Sequence, residues 1–161
     1  MMKHSTWMKI AYDVADESKC ISHHVGAVIV NKDRIVSTGY NGTPSKQPNC
    51  CDVNAHLVHN KTLQQWISDD AKVQHHHWSQ MHEIHAEMNA LLYSAPIDRE
   101  GATLYSTLQP CYTCSLLIAG SGITKVIYDK EYPRTPDEAI TVLKNAGIEV
   151  ITLDEANKKE P

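Results

Sequence analysis

No stretch of this chain is long and apolar enough to span a membrane, and its first residues lack the apolar core of a secretory signal. A cytoplasmic setting without membrane contact is therefore expected. A positive charge excess is also missing. Fifteen basic residues face 19 acidic ones, a net charge of −4 with histidine neutral. That balance argues against a long nucleic acid as partner, whereas a single nucleotide needs only a few local donors. No internal repeat and no linker interrupt the 161 residues, which fit one domain over 1–161 with a core of its own. Five cysteines cannot all pair within one chain, so metal ligation explains them better than disulfides do. Histidine, by contrast, is abundant: five of the ten lie between His75 and His85.

The cysteines and histidines fall into a pattern. His85-Ala86-Glu87 is followed by Pro110-Cys111-Tyr112-Thr113-Cys114. One imidazole and two thiolates make three zinc ligands. Structural zinc sites are usually closed by four protein ligands, whereas catalytic sites leave the fourth position to water. H-x-E…P-C-x-x-C is the signature of zinc deaminases, in which the Glu carries protons and is not a ligand. Alone, Cys-x-x-Cys could be half a zinc knuckle or a redox pair. Together with His-x-Glu upstream, it points to a catalytic zinc held by His85, Cys111 and Cys114, with Glu87 as the catalytic residue.

Periodicity and turn residues predict the elements around these motifs. Ser5 or Thr6 caps a helix with Trp7, Ile10, Ala11 and Val14 on one stripe. Val25–Val30 and Arg34–Thr38 form a hairpin about a turn at Asn31–Asp33. The stretch from Ser45 to about Gln80 is irregular, apart from a helix near Leu57–Ile67. Helices follow at Glu83–Ser94, Thr113–Ala119 (ended by Gly120 or Gly122) and Pro136–Asn145, with Gly147 just past the last. Strands follow at Ala102–Leu108, Lys125–Tyr128 and Ile148–Leu153. Residues from about 154 read as a polar tail. Helical crossovers between the last three strands allow them to lie parallel. The expected fold is α/β: a three-layer α-β-α sandwich about a central five-stranded mixed sheet. The zinc ligands then enter at two helix starts, whose positive dipole ends favour thiolate.

On these motifs the chain resembles the cytidine deaminase superfamily, and within it the deoxycytidylate (dCMP) deaminases of bacteriophages. The stretches that carry the resemblance are Glu17-Ser18-Lys19-Cys20, Val25-Gly26-Ala27-Val28, Thr38-Gly39-Tyr40-Asn41-Gly42, Asn49-Cys50-Cys51-Asp52, Glu83 to Ala90 and Asn145 to Val150. The zinc motifs identify only the superfamily. The Gly-Tyr-Asn-Gly loop with Asn-Cys-Cys-Asp soon after is more specific to the dCMP branch. The resemblance implies a cytidine deaminase-like fold and hydrolysis of dCMP to dUMP and ammonia, supplying dUMP for thymidylate synthesis. A phage-encoded chain would act in the host cell cytoplasm.

Zinc brings the pKa of a bound water toward ~7. Glu87 takes that water's proton, hydroxide attacks C4 of cytosine, and Glu87 delivers protons first to N3 and then to the departing amine. The resemblance implies that the Gln109 carbonyl accepts from the substrate amino group and that the Ala86 amide contacts the base carbonyl. It matches Asn41 to a sugar-binding position, where the alternative is a turn residue before Gly42. It matches Tyr132 to a nucleotide-reaching tyrosine, the alternative being a surface residue. Donors for the 5′-phosphate are expected near Ser22, His23 and His24, histidines standing where phage relatives often carry Lys. Tyr112 either covers the base or packs on the neighbouring strand.

The resemblance further implies a structural zinc held by Cys20, Cys50, His75 and Glu83, with His76, His77 and His82 competing as the imidazole ligand. Such a site would pin the irregular stretch to its surroundings. A homohexamer, activation by dCTP and inhibition by dTTP, with Mg2+ accompanying the triphosphate, belong to the same expectation. The Ala95 to Glu100 segment, shorter than in phage relatives, argues against full retention of that control. The alternative activities are dCTP or dual dCMP/dCTP deamination, tRNA adenosine deamination and free-nucleoside deamination. A non-catalytic zinc-binding interaction module is the alternative from another class; it would need no Glu87 and would supply a fourth protein ligand.

Overall fold

The protein is described by a computed structural model over residues 1–60 and 65–161. Helix α1 (His4–Ala15) starts one residue before Ser5, and Lys3 at its cap position makes no side-chain cap bond. The far end of the chain takes the place of the expected Ser or Thr cap: the His4 amide donates to the Glu160 carboxylate at 2.5 Å. The helix buries Trp7, Met8, Ala11 and Ala15, a stripe rotated slightly from the expected one, which leaves Ile10 and Val14 half-buried.

Strands β1 (Gly26–Asn31) and β2 (Arg34–Tyr40) form the expected antiparallel hairpin. Lys32 and Asp33 both sit at positive φ, 48° and 60°, a turn whose twist suits a two-residue hairpin. The next segment departs from expectation. Helix α2 (Cys50–Asn54) runs into one 3-10 turn (Ala55–Leu57). Strands β3 (Val58–Asn60) and β4 (Gln65–Trp66) then pair antiparallel, so the helix expected near Leu57–Ile67 is a small hairpin in its described part. Residues 61–64 of that helix lie outside the described residues. The long helix comes later, as α3 (Asp69–His82). Ser68 caps it by accepting from the Ala71 amide at 3.0 Å, and Asp69 and Asp70 complement the dipole in its first turn.

Glu83 is not in the following helix. Glu83 and Ile84 are extended, and α4 spans only Ala86–Leu92 with His85 as its cap. A two-way bridge explains this: Gly42 donates to the Ile84 carbonyl at 3.1 Å, and Ile84 donates back to Gly42 at 2.8 Å. Pairing with the loop after β2 holds these residues out of the helix despite their helix-forming types. Pro96 then starts a single turn, α5 (Pro96–Arg99).

The rest alternates as expected: β5 (Thr103–Leu108), α6 (Tyr112–Ala119), β6 (Lys125–Lys130), α7 (Asp137–Asn145) and β7 (Glu149–Thr152). The expected polar tail is instead helix α8 (Leu153–Lys159). Thr152 and Glu155 close a reciprocal capping box, and Ala156 is fully buried beside Trp7 and Met8.

The sheet order is β2-β1-β5-β6-β7. β1 pairs antiparallel with β2 and β5, while β5, β6 and β7 run parallel, the mixed five-stranded sheet that was expected. Helices α4, α6 and α7 cover one face, and α1 and α8 the other. The chain has no phenylalanine, and both faces are filled mainly with aliphatic side chains. Ala27, Ile29, Leu104, Val126 and Leu143 lie on one side; Val28, Val30 and Ile127 lie with Trp7 on the other.

Two glycines set the spacing of these layers. A Cβ on Gly26 would lie 1.9 Å from the Ala11 carbonyl oxygen, and one on Gly39 would lie 2.2 Å from that of Ala86. The second approach is what lets α4, with Glu87 on it, settle on β2. Gly39→Ala must push α4 outward, and we expect it to destabilise the fold by about 1–3 kcal/mol in chemical denaturation. An unchanged unfolding midpoint would show that α4 is not seated by this contact.

Candidate active site and metal-ligand groups

The first group gathers at the C-terminal end of β5. His85 caps α4, and Cys111 caps α6, accepting at Sγ from the Cys114 amide at 3.5 Å. His85 Nδ1 lies 3.5 Å from Cys111 Sγ and 3.3 Å from Cys114 Sγ. In a zinc tetrahedron with ordinary Zn–N and Zn–S lengths, an N···S edge is about 3.6 Å, so the three side chains fit the ion. Their chemistry agrees. The hydrogen bond from Cys114, and then His85, hold the Cys111 thiol down to about 4. Sharing a proton with that thiolate, together with burial, pushes Cys114 up. The hydrogen bond with Cys111 raises the His85 imidazole. A divalent cation would replace the proton the two sulfurs share. Among the described residues no fourth side chain joins this group.

Glu87 stands beside it, one residue inside α4 and only 4% exposed. Its Oε2 lies 3.6 Å from Cys114 Sγ and its Oε1 lies 3.3 Å from Ser106 Oγ. Burial pushes its carboxyl above the usual carboxylate range, which suits a group that must both take and give a proton near neutral pH. Ser106 was not singled out by sequence reasoning. Within Leu104-Tyr105-Ser106-Thr107-Leu108 the sequence offers no signal for it, because only the structure shows that it is fully buried.

The second group is separate. Sγ of Cys20 and Cys50 lie 3.6 and 3.2 Å from His75 Nε2, and the ligand atoms of these three and Glu83 all lie within 4.8 Å of one another. Of the competing histidines, His76 and His77 are exposed, and His82 stacks on Trp78 and bonds its carbonyl. Only His75 turns inward. Glu83 Oε1 is buried and has no hydrogen-bond partner within ordinary distance among the described residues. The hydrogen bond with Cys20 holds Cys50 down to about 4 and, reciprocally, pushes Cys20 up. Burial, with the Cys50 charge next, raises Glu83 to about 7. Among the described residues, the apolar cluster around this group is small: Ile21, Leu57 and Ala71, with Trp66 and Trp78 at its edge.

The expected substrate residues divide. The Asn41 carboxamide is used twice within the chain, accepting from the Val25 amide and donating to the His23 carbonyl, both at 2.8 Å. Its backbone carbonyl accepts from Ser18 Oγ at 2.8 Å. It is therefore more than a turn residue: it braces the segment before β1. Ala86 is fully buried at the start of α4. The Gln109 side chain accepts from the Tyr132 amide at 3.4 Å, and the Tyr132 ring meets that of His23 edge-on at 5.6 Å. His24 Nε2 bonds the Cys20 carbonyl at 2.7 Å. A cleft of about 260 Å³, lined by Tyr12, His23, His24, Thr107 and Lys130 among others, opens at this end of the sheet. Tyr112, the first residue of α6, is 42% exposed.

Residues 1–130 match the family described as the cytidine and deoxycytidylate deaminase zinc-binding region. The chain belongs to this deaminase family. It is 42% identical to the deoxycytidylate deaminase of Enterobacteria phage T4, covering 97% of this chain and 92% of that protein. It is 41% identical to the deoxycytidylate deaminase of Mycobacterium phage D29, covering 78% of this chain and 92% of that one. The structure of dCMP deaminase from cyanophage S-TIM5 in complex with dCMP and dUMP superposes with a TM-score of 0.70 at 32% identity, covering 94% of this chain and 99% of that chain.

Asn41 sits in the loop directly after β2. In this structure, removing its side chain leaves the Val25 amide and the His23 carbonyl without it. Asn41→Ala should therefore lower stability by about 1–3 kcal/mol in urea unfolding. A wild-type midpoint would mean that the brace carries no load.

Proposed function

We propose that this chain is a zinc-dependent hydrolytic deaminase that converts dCMP to dUMP and ammonia, supplying dUMP for thymidylate synthesis. The observation that carries this reading is Glu87, a buried carboxyl held against a three-ligand group that has no fourth protein ligand among the described residues. An interaction module would have no use for that carboxyl and would close its metal with a fourth side chain. The phage relatives named for deoxycytidylate deamination, and the cyanophage enzyme crystallised with dCMP and dUMP, support the choice of substrate.

His85, Cys111 and Cys114 would hold zinc, which when bound supplies a water acidic enough to ionise near neutral pH. Glu87 takes that water's proton and delivers it to N3 of the cytosine, while the hydroxide oxygen adds to C4. Glu87 would then carry the remaining proton of the new C4 hydroxyl to the amino group; the C4–N4 bond breaks as the C4 carbonyl forms, and ammonia leaves. The Ala86 amide would meet the base carbonyl, and the Gln109 carbonyl would accept from the amino group. Tyr132 and Asn41 would flank the sugar, Asn41 chiefly by ordering the His23–Val25 rim. His23 and Lys130 at the cleft would meet the 5′-phosphate.

Three further features belong to the same proposal. Cys20, Cys50, His75 and Glu83 would hold a second, structural zinc; the unpartnered Glu83 Oε1 supports this. Copies of the chain would assemble as a hexamer, for which the exposed Leu92, Tyr93, Ile97, Leu116 and Leu117 offer apolar surface. dCTP with Mg2+ would activate and dTTP would inhibit, by binding two states of that oligomer unequally. No helix among the described residues is long and apolar enough to cross a membrane, and we place the activity in the host cell cytoplasm.

Ammonia release from dCMP, dCTP, deoxycytidine and a tRNA anticodon stem-loop tests the reaction. We expect dCMP to be the preferred substrate. Release from the stem-loop alone, or from none of the four, would overturn the assignment. Elemental analysis should find two zinc ions per chain, reduced to one in Cys50→Ala with a lowered Tm; a single ion in protein never exposed to chelator would remove the second site. Saturation curves for dCMP indifferent to both triphosphates would remove the regulation and leave the chemistry standing.

A further inference from the structure

Strand β5 presents Leu104, Ser106 and Leu108 to one face and Tyr105 and Thr107 to the other, since side chains alternate along a strand. Leu104 packs in the cluster that contains Ala86 and Ala90 of α4. Ser106 therefore faces the same helix, one step nearer the active-site end. It is fully buried, at a position where an apolar side chain would fill the space without needing a partner. Its flanking neighbours in the sheet are Ala27 of β1 and Tyr128 of β6.

The Ser106 hydroxyl has two oxygens within reach. Oγ lies 2.7 Å from the Leu108 carbonyl oxygen and 3.3 Å from Glu87 Oε1. A hydroxyl carries one proton and two lone pairs, so it cannot donate fully to both. With the O–H donating to the Leu108 carbonyl, the hydroxyl's lone pairs face Glu87 and accept from a protonated carboxyl. With the proton turned to Oε1, it donates to a carboxylate. The contact to Glu87 thus survives on either side of a proton transfer. Oε2 is left toward Cys114 Sγ, at 3.6 Å, on the side of the metal ligands.

We propose that Ser106 is a positioning residue for Glu87: its buried hydroxyl holds Oε1 in place, so that Oε2 keeps its aim at the reacting water and base. This rests on Glu87 being the proton carrier of the proposed deamination. The Leu108 bond alone would be a different role. It would only steady the chain leading to Gln109, Pro110 and Cys111, and its loss would show as weaker substrate binding and lost zinc.

The test compares Ser106→Ala, Ser106→Thr and Ser106→Val with wild type, measuring kcat and KM for dCMP and zinc content by elemental analysis. Thr and Val are nearly the same shape, so any strain from the added methyl groups is common to both. We expect Ser106→Ala and Ser106→Val to lower kcat by about 10- to 100-fold, the range for a lost hydrogen bond to a charged group. KM and zinc content should stay within about twofold of wild type, and Ser106→Thr should recover most of the kcat that Ser106→Val loses. Equal kcat in the Thr and Val variants, or a loss carried by KM or by zinc, would overturn the proposal. A wild-type protein that releases no ammonia from dCMP would instead overturn the deaminase reading on which it rests.

Discussion

The site depends on keeping the Glu87 carboxyl in a nearly dry place. A buried charge without partners is costly enough that the group shifts its pKa instead. Here the carboxyl has a serine hydroxyl at 3.3 Å, a cysteine sulfur at 3.6 Å and its own backbone amide beside it. Burial pushes the carboxyl above the usual carboxylate range. That balance would fail if α4 sat further from the sheet and admitted water. Gly39 removes the side chain that would hold α4 off, and the Ser37 hydroxyl bonds the Ala90 carbonyl of α4 at 2.6 Å. The chemistry of one carboxyl is thus tied to the packing of a helix on an edge strand.

The two ligand groups are joined through one short segment. Glu83 belongs to one and His85 to the other, with Ile84 between them bridged to Gly42. Had the helix begun at Glu83, as local propensity suggested, one helical turn would have carried both residues. The extended backbone instead separates them and places His85 at the cap position of α4, its side chain making no cap bond and turned to the cysteines. The Gly42 side of the bridge is continuous with Asn41, whose carboxamide orders the backbone at His23 and Val25. The loop after β2 therefore organises both the imidazole ligand and the rim of the cleft.

Much of this was legible before the structure. The alternation of β5, α6, β6, α7 and β7 could be read because Gly or Pro residues punctuate the turns between most of them. The triad of His85, Cys111 and Cys114 was legible because its spacing is itself a chemical constraint. What was missed depended on distant partners. The start of α1 is closed by Glu160 from the opposite end of the chain, which no local cap signal reports. The tail folds as α8 because Ala156 finds a pocket beside Trp7 and Met8, though its composition is polar. The stretch around β3 and β4 packs Leu57, Val58 and Trp66 against Cys20, Ile21 and Cys50, partners that lie far apart in sequence. Ser106 escaped notice because a serine in a strand carries no signal until its burial is known.

The most direct test of the central claim separates the proton carrier from the metal ligands. Zinc content and dCMP turnover should be measured together in Glu87→Gln and Cys111→Ala. We expect Glu87→Gln to keep its zinc and lose turnover, and Cys111→Ala to lose zinc and turnover together. Near-wild-type turnover in zinc-loaded Glu87→Gln would contradict the assignment of Glu87 as the group that moves the protons.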